Sequence, residues 1–98
     1  MADEQFKNIR DFYFPVLHII RDMGGKAKNK DIYAEFLARH EHQLDHHFFT
    51  EIRDGDPMWR DWINRAGYQL RVKGYIVRPT SGLWELTDKP WPANKEDF

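Results

Sequence analysis

No cysteine occurs among the 98 residues, which excludes a disulfide framework, a thiolate metal site and a cysteine nucleophile. Long apolar runs are missing too. The longest uncharged apolar stretch, Phe12 to Ile20, contains Pro15 and His18 and is about half the length that crosses a bilayer. It is not preceded by a basic leader of the secretory type. These absences predict a cytoplasmic chain with no membrane partner. There is no excess charge of one sign, because 15 Lys and Arg stand against 16 Asp and Glu, so a histone-like polycation is excluded. Internal repeats and low-complexity runs are absent, and the length suits one small core.

The near-neutral total hides segregation. Residues 1 to 58 carry 8 basic and 11 acidic side chains, residues 59 to 86 carry 5 and 2, and residues 87 to 98 carry 2 and 3. Lys26, Lys28 and Lys30 add a second basic island with no acid between them. The plain reading of both islands is solvated surface. The sharper one is a surface for a polyanion.

Apolar spacing places the elements. Pro15 suits the first turn of a helix and Gly24-Gly25 a stop; Val16, Ile19, Ile20 and Met23 form the stripe between them. Phe6, Ile9 and Tyr13 mark a helical arm over residues 1–13. Asn29 can cap a second helix with Ile32, Tyr33, Phe36 and Leu37 on one side, ending near His40. Glu41 to Pro57 has no sustained period and reads as a long connection with at most one helical turn. From Trp59 to Lys73 the period returns, with Trp59, Trp62, Ile63, Ala66 and Leu70 inward and Gly74 as terminator. Two β-prone runs, Tyr75 to Arg78 and Leu83 to Thr87, flank a Pro79-Thr80-Ser81-Gly82 turn and predict a hairpin in which Ile76, Trp84 and Leu86 point inward. The tail over residues 89–98 reads as a linker or docked end without regular structure.

The predicted class is therefore mainly α with a small β-hairpin. Three helices and a hairpin in that order form a winged helix-turn-helix over residues 14–88, with the third helix for recognition and the hairpin as wing. Several stretches carry a likeness: Phe14-Pro15-Val16-Leu17, Ala27 to Tyr33, Gly74-Tyr75-Ile76 and Ser81 to Thr87. In them the sequence resembles the N-terminal winged-helix domain of Mrr-type, modification-dependent restriction endonucleases. The resemblance implies a DNA-binding domain that helps select modified sites while a separate nuclease domain cuts. Such a nuclease needs an Asp and an acid-x-Lys pair to hold Mg²⁺. Asp54-Gly55-Asp56 beside Glu51-Ile52-Arg53 lacks the lysine. No catalytic residue, enzymatic activity, metal or cofactor is therefore expected of the chain.

The outward face of the third helix carries Arg60, Asn64, Arg65, Tyr68 and Arg71. Arg can pair with guanine, Asn with adenine, and Tyr can lie against a thymine or added methyl group in a major groove. The competing reading is a solvated face with an Asp61–Arg65 pair at i, i+4. Arg78, Thr80 and Ser81 are candidates at the wing tip, and Lys26, Lys28 and Lys30 at the positive start of the second helix, all for phosphate. Trp62 and Trp84 read as core, each with its indole N–H bonded. His40, His42, His46 and His47 could bind zinc, but their spacing favours solvated loop histidines. The expected function is double-stranded DNA binding in a restriction system, with an attached nuclease domain and a homodimer as further partners left open. The alternatives are a protein-contact or dimerisation module and a free-standing transcriptional regulator.

Overall fold

The computed structural model describes residues 4–98. Among these residues four α-helices and five short strands follow in the order α1 (Tyr13–Asp22), β1 (Lys26–Lys28), α2 (Asn29–His40), α3 (His47–Thr50), β2 (Ile52–Arg53), β3 (Asp56–Pro57), α4 (Met58–Val72), β4 (Ile76–Val77) and β5 (Leu83–Leu86). About half the chain is helical, and a small antiparallel sheet completes the fold.

The sheet has the order β1-β5-β4. Strand β5 is central, pairing Ala27 with Trp84 on one side and Ile76 with Leu86 on the other. The sequence reading put Lys26 to Lys30 in the approach to a helix; residues 26–28 are instead a strand. Its alternation is short but physical, with Ala27 buried and both lysines exposed. The connection after α2 is also more ordered than expected. Strands β2 and β3 close on Asp54-Gly55, both with positive φ (52° and 85°), the conformation that an Asp-Gly hairpin turn adopts most readily.

Aromatic rings fill the core. Phe12 stacks on Phe36 with centroids 5.0 Å apart, and Phe6, Phe48 and Trp62 close around them. Phe6 and Phe12 come from the predicted N-terminal arm, whose residues 1–3 lie outside the described residues. The arm enters the core through the 3-10 turn Ile9–Phe12, which runs directly into α1. Pro15 accordingly sits inside the first turn of α1, where its missing N–H still costs no helical bond.

Trp84 is buried as expected, yet its Nε1 has no hydrogen-bond partner. That corrects the expectation of a bonded indole. The packing of the ring outweighs an orphaned donor that costs roughly 1–3 kcal/mol.

The tail is docked and carries a 3-10 turn, Lys95–Asp97, where no regular element was expected. Phe98 meets Tyr13, Phe14 and Tyr75 edge-on. Trp91 lies against His18 and under Arg21, and Lys95 donates to the Asp11 carboxylate. No helix among the described residues is long and apolar enough to cross a membrane.

Candidate nucleic-acid interface

Helix α4 spans 15 residues, about 22 Å. Ile63, Ala66 and Leu70 bury its inner side while Trp59 and Trp62 are half-buried at its edges. At about 100° per residue, Arg60 and Arg71 fall on one flank of the outer side, Arg65 and Gln69 on the other, and Asn64 and Tyr68 between them.

The first flank faces α2. Tyr33 donates its hydroxyl to Asn64 Oδ1 at 2.6 Å, and its ring lies under the Arg60 guanidinium (5.7 Å) and edge-on to Trp59 (6.3 Å). Sequence reasoning had counted Tyr33 only as part of the apolar stripe of α2. Arg60 is not free to reach outward as drawn from the sequence, since it also donates to Asp56 Oδ1 at 2.7 Å. Arg71 covers the Tyr68 ring at 5.5 Å.

On the second flank, Arg65 donates to Asp61 Oδ2 at 2.7 Å, the i, i+4 pair foreseen from spacing. The Arg65 side chain remains 58% exposed while that of Asp61 is only 13% exposed. Exposed pairs of this kind are worth about 0–1 kcal/mol, so a phosphate can compete for Arg65. Between this flank and the chain's N-terminal turn runs an open groove of about 810 Å³. Asn8, Ile9, Arg10 and Tyr13 line one wall, and Asn64, Arg65, Tyr68 and Gln69 the other. Burial raises the Tyr13 phenol above its ordinary pKa against the opposing effect of Arg10, so it stays neutral. The groove was invisible in the sequence because its walls come from segments about fifty residues apart.

A second set of predicted residues converges at the start of α2. Lys28, Lys30, Thr80 and Ser81 line one cleft of about 250 Å³ together with Asn29, Gly82 and Leu83. The Asn29 N–H donates to Gly82 O at 2.8 Å, clamping the hairpin turn onto the helix. Asn29 is the first residue of α2, and its Oδ1 accepts from the Lys30 N–H, a shorter reach than the N-cap bond expected. Two amides at this helix end are thus already used, which leaves the ammonium groups and hydroxyls as the polar contribution. No carboxylate lines the cleft.

The three lysines do not line one cleft. Lys26 and Lys28 share a second depression with Asp31 and Glu35, so Lys28 borders both while Lys26 is absent from the first. Arg78 is exposed and lines neither the cleft nor the groove.

Among the described residues no group of three or more His, Cys, Asp or Glu could hold a metal. His40 is no solvated loop residue: it ends α2, lies 2.6 Å from Gln43 Oε1 through Nδ1, and packs on Phe6 and Phe36. The carboxylates around Asp54 belong to the β2–β3 hairpin, where Asp56 pairs with Arg60 and Glu51 with Arg53. No family model, curated protein or solved structure matches the chain.

Proposed function

We propose that this chain is a winged-helix module that binds double-stranded DNA, with α4 as recognition helix and the turn between β4 and β5 as wing. The interposed strand β1, paired to β5 next to the hairpin, supports that reading of the fold. The observation that carries the function is the cleft in which Lys28, Lys30, Thr80 and Ser81 meet, free of carboxylates. Residues some fifty positions apart converge there on the donor types that phosphate backbones engage. Arg65, Tyr68, Arg71 and Asn64 on α4 then supply contacts to base edges, and Arg60 adds to them by exchanging Asp56 for a nucleic-acid acceptor. The likeness of residues 14–88 to Mrr-type N-terminal domains supports a role in choosing target sites, modified ones included, for an attached nuclease.

One observation favours a second reading, a protein-contact module. Arg60 and Arg65 are already ion-paired, and Tyr68 and Val72, one turn apart on α4, are 55% and 63% exposed. Aromatic and aliphatic exposure of that kind suits a protein interface.

Binding to otherwise identical duplexes, unmodified, adenine-methylated or cytosine-methylated, separates the two. The Arg65→Ala plus Arg71→Ala variant is expected to lose at least ~1 kcal/mol on every duplex. A variant that binds as tightly as the parent chain removes α4 from the interface, and absence of duplex binding supports the protein-contact reading.

A further inference from the structure

The groove between the N-terminal 3-10 turn and α4 is not needed for backbone contacts, yet its composition is specific. Tyr68 supplies exposed aromatic surface and Tyr13 lines the groove as a buried residue; Asn8 and Gln69 supply carboxamides, Asn64 the amide nitrogen beside the oxygen bonded by Tyr33, and Arg10 and Arg65 guanidinium groups. None of its lining residues is acidic, in a chain with more Asp and Glu than Lys and Arg.

Each of these groups answers one part of a nucleotide. Aromatic side chains stack on any base, because every base has a π-face. Carboxamides present a donor and an acceptor side by side, which matches the edge of a base. Guanidinium groups pair with phosphate through two parallel N–H donors. Arg10 has no acidic partner among the described residues, and Arg65 keeps its exposed end available beyond Asp61. Arg71 covers Tyr68 without being part of the groove wall, so it steadies that ring without occupying the space. At about 810 Å³ the groove falls within the span of roughly 300–1,000 Å³ common for small-molecule sites.

We propose that this groove binds a single nucleotide, with the base against the exposed Tyr68 ring, its edge toward the carboxamides and its phosphate on Arg10 and Arg65. The nucleotide has two sources, a free mononucleotide or a base extruded from a bound duplex. Only the second rests on the duplex-binding function proposed above. Extrusion would let a module on α4 inspect a base on all its edges, which groove contacts alone do not allow.

The test uses the intact chain and two kinds of probe. In the first arm the four deoxynucleoside 5′-monophosphates and inorganic phosphate are titrated, with binding followed by backbone amide chemical shifts. At least one nucleotide should saturate the groove residues, with inorganic phosphate at least tenfold weaker. Arg10→Ala and Gln69→Ala should each weaken the nucleotide at least fivefold, while Lys28→Ala plus Lys30→Ala leaves it unchanged. In the second arm a duplex carrying 2-aminopurine opposite a mismatch is added. A fluorescence rise that Gln69→Ala abolishes identifies an extruded base, and nucleotide binding without that rise identifies a free nucleotide; both support the groove as a nucleotide site. Duplex binding with no mononucleotide binding and no fluorescence rise overturns the inference while leaving the duplex-binding function standing. Nucleotide binding without duplex binding does the reverse. Equal affinity for phosphate and nucleotide, or an Arg10→Ala variant that binds as the parent does, also overturns it.

Discussion

Gly67 of α4 faces the Trp84 indole of β5 so closely that a Cβ at position 67 would lie 2.4 Å from Trp84 Cη2 and 2.6 Å from Cζ3. This contact seats the outward-facing helix against the central strand of the sheet. It sets how α4 and the β4–β5 hairpin are disposed toward one another.

Replacing Gly67 by Ala would ordinarily raise helix stability by about 1 kcal/mol. Here the Trp84 ring is buried and cannot swing away, so overpacking costs of roughly 1–3 kcal/mol dominate. The Gly67→Ala protein is therefore expected to unfold at lower urea concentration than the parent, with an unchanged m-value. A midpoint equal to or above that of the parent chain would refute the close seating.

The Tyr33 hydroxyl on Asn64 joins α2 to the outer side of α4. Tyr33→Phe deletes that bond and is expected to cost about 1 kcal/mol. A double-mutant cycle with Asn64→Ala should show a coupling of about 0.5 kcal/mol or more. Additive effects in chemical denaturation would mean that the two side chains do not act together.

Acid should loosen the tail. Burial alone would raise the Asp11 carboxyl, but the hydrogen bonds from Lys95 and from the Lys7 and Asn8 N–H groups outweigh it and hold the pKa below its ordinary value. A depressed carboxyl stabilises the fold above its unfolded pKa of about 3.9, and that contribution disappears as pH falls through the folded value. Thermal melts of the Asp11→Asn protein should thus be lower at pH 7 and less sensitive to pH below about 4. A parallel pH profile for both proteins would contradict this.

His18 acts at higher pH. Burial, followed by Arg21, lowers its pKa, with Asp22 opposing and Arg39 and His40 adding smaller effects in the same direction. Because the unfolded chain protonates first, near about pH 6.5, the folded state loses stability as pH drops below that value. His18→Gln should flatten the melting temperature between about pH 6.5 and 5, and a profile as steep as that of the parent would exclude His18 as the source.

Much of this arrangement was legible in the sequence wherever the pattern was long. The stripe from Trp59 onward gave a helix that differs from α4 by one residue at each end, and Asn29, read as the cap of the second helix, is instead its first residue, one position inside. The hairpin appeared because β-prone runs flank a Pro/Gly turn. Strand β1 escaped because three residues centred on Ala27 carry little periodic signal, and its partner lies more than fifty positions away. The Asp54-Gly55 turn was a readable hairpin signal, masked by flanking strands of only two residues and by Pro57. For the site, the residue types on α4 were readable, whereas their partners were not. Asp56 on Arg60 and Tyr33 under it depend on how α4 sits on its neighbours. Lys26 and Lys28 share the exposed face of β1, the strand that sequence reasoning missed, and of the two only Lys28 also lines the cleft.

The most direct measurement is the salt dependence of duplex affinity for the parent chain and for a Lys28→Ala plus Lys30→Ala variant. If about six phosphates are neutralised, the log-log slope for the parent should be near −5, and removing two ammonium groups should make it shallower by about 1.8, since each contributes about 0.9. A slope that is flat, or identical in the two proteins, would contradict the assignment of the cleft at the start of α2 to the DNA backbone.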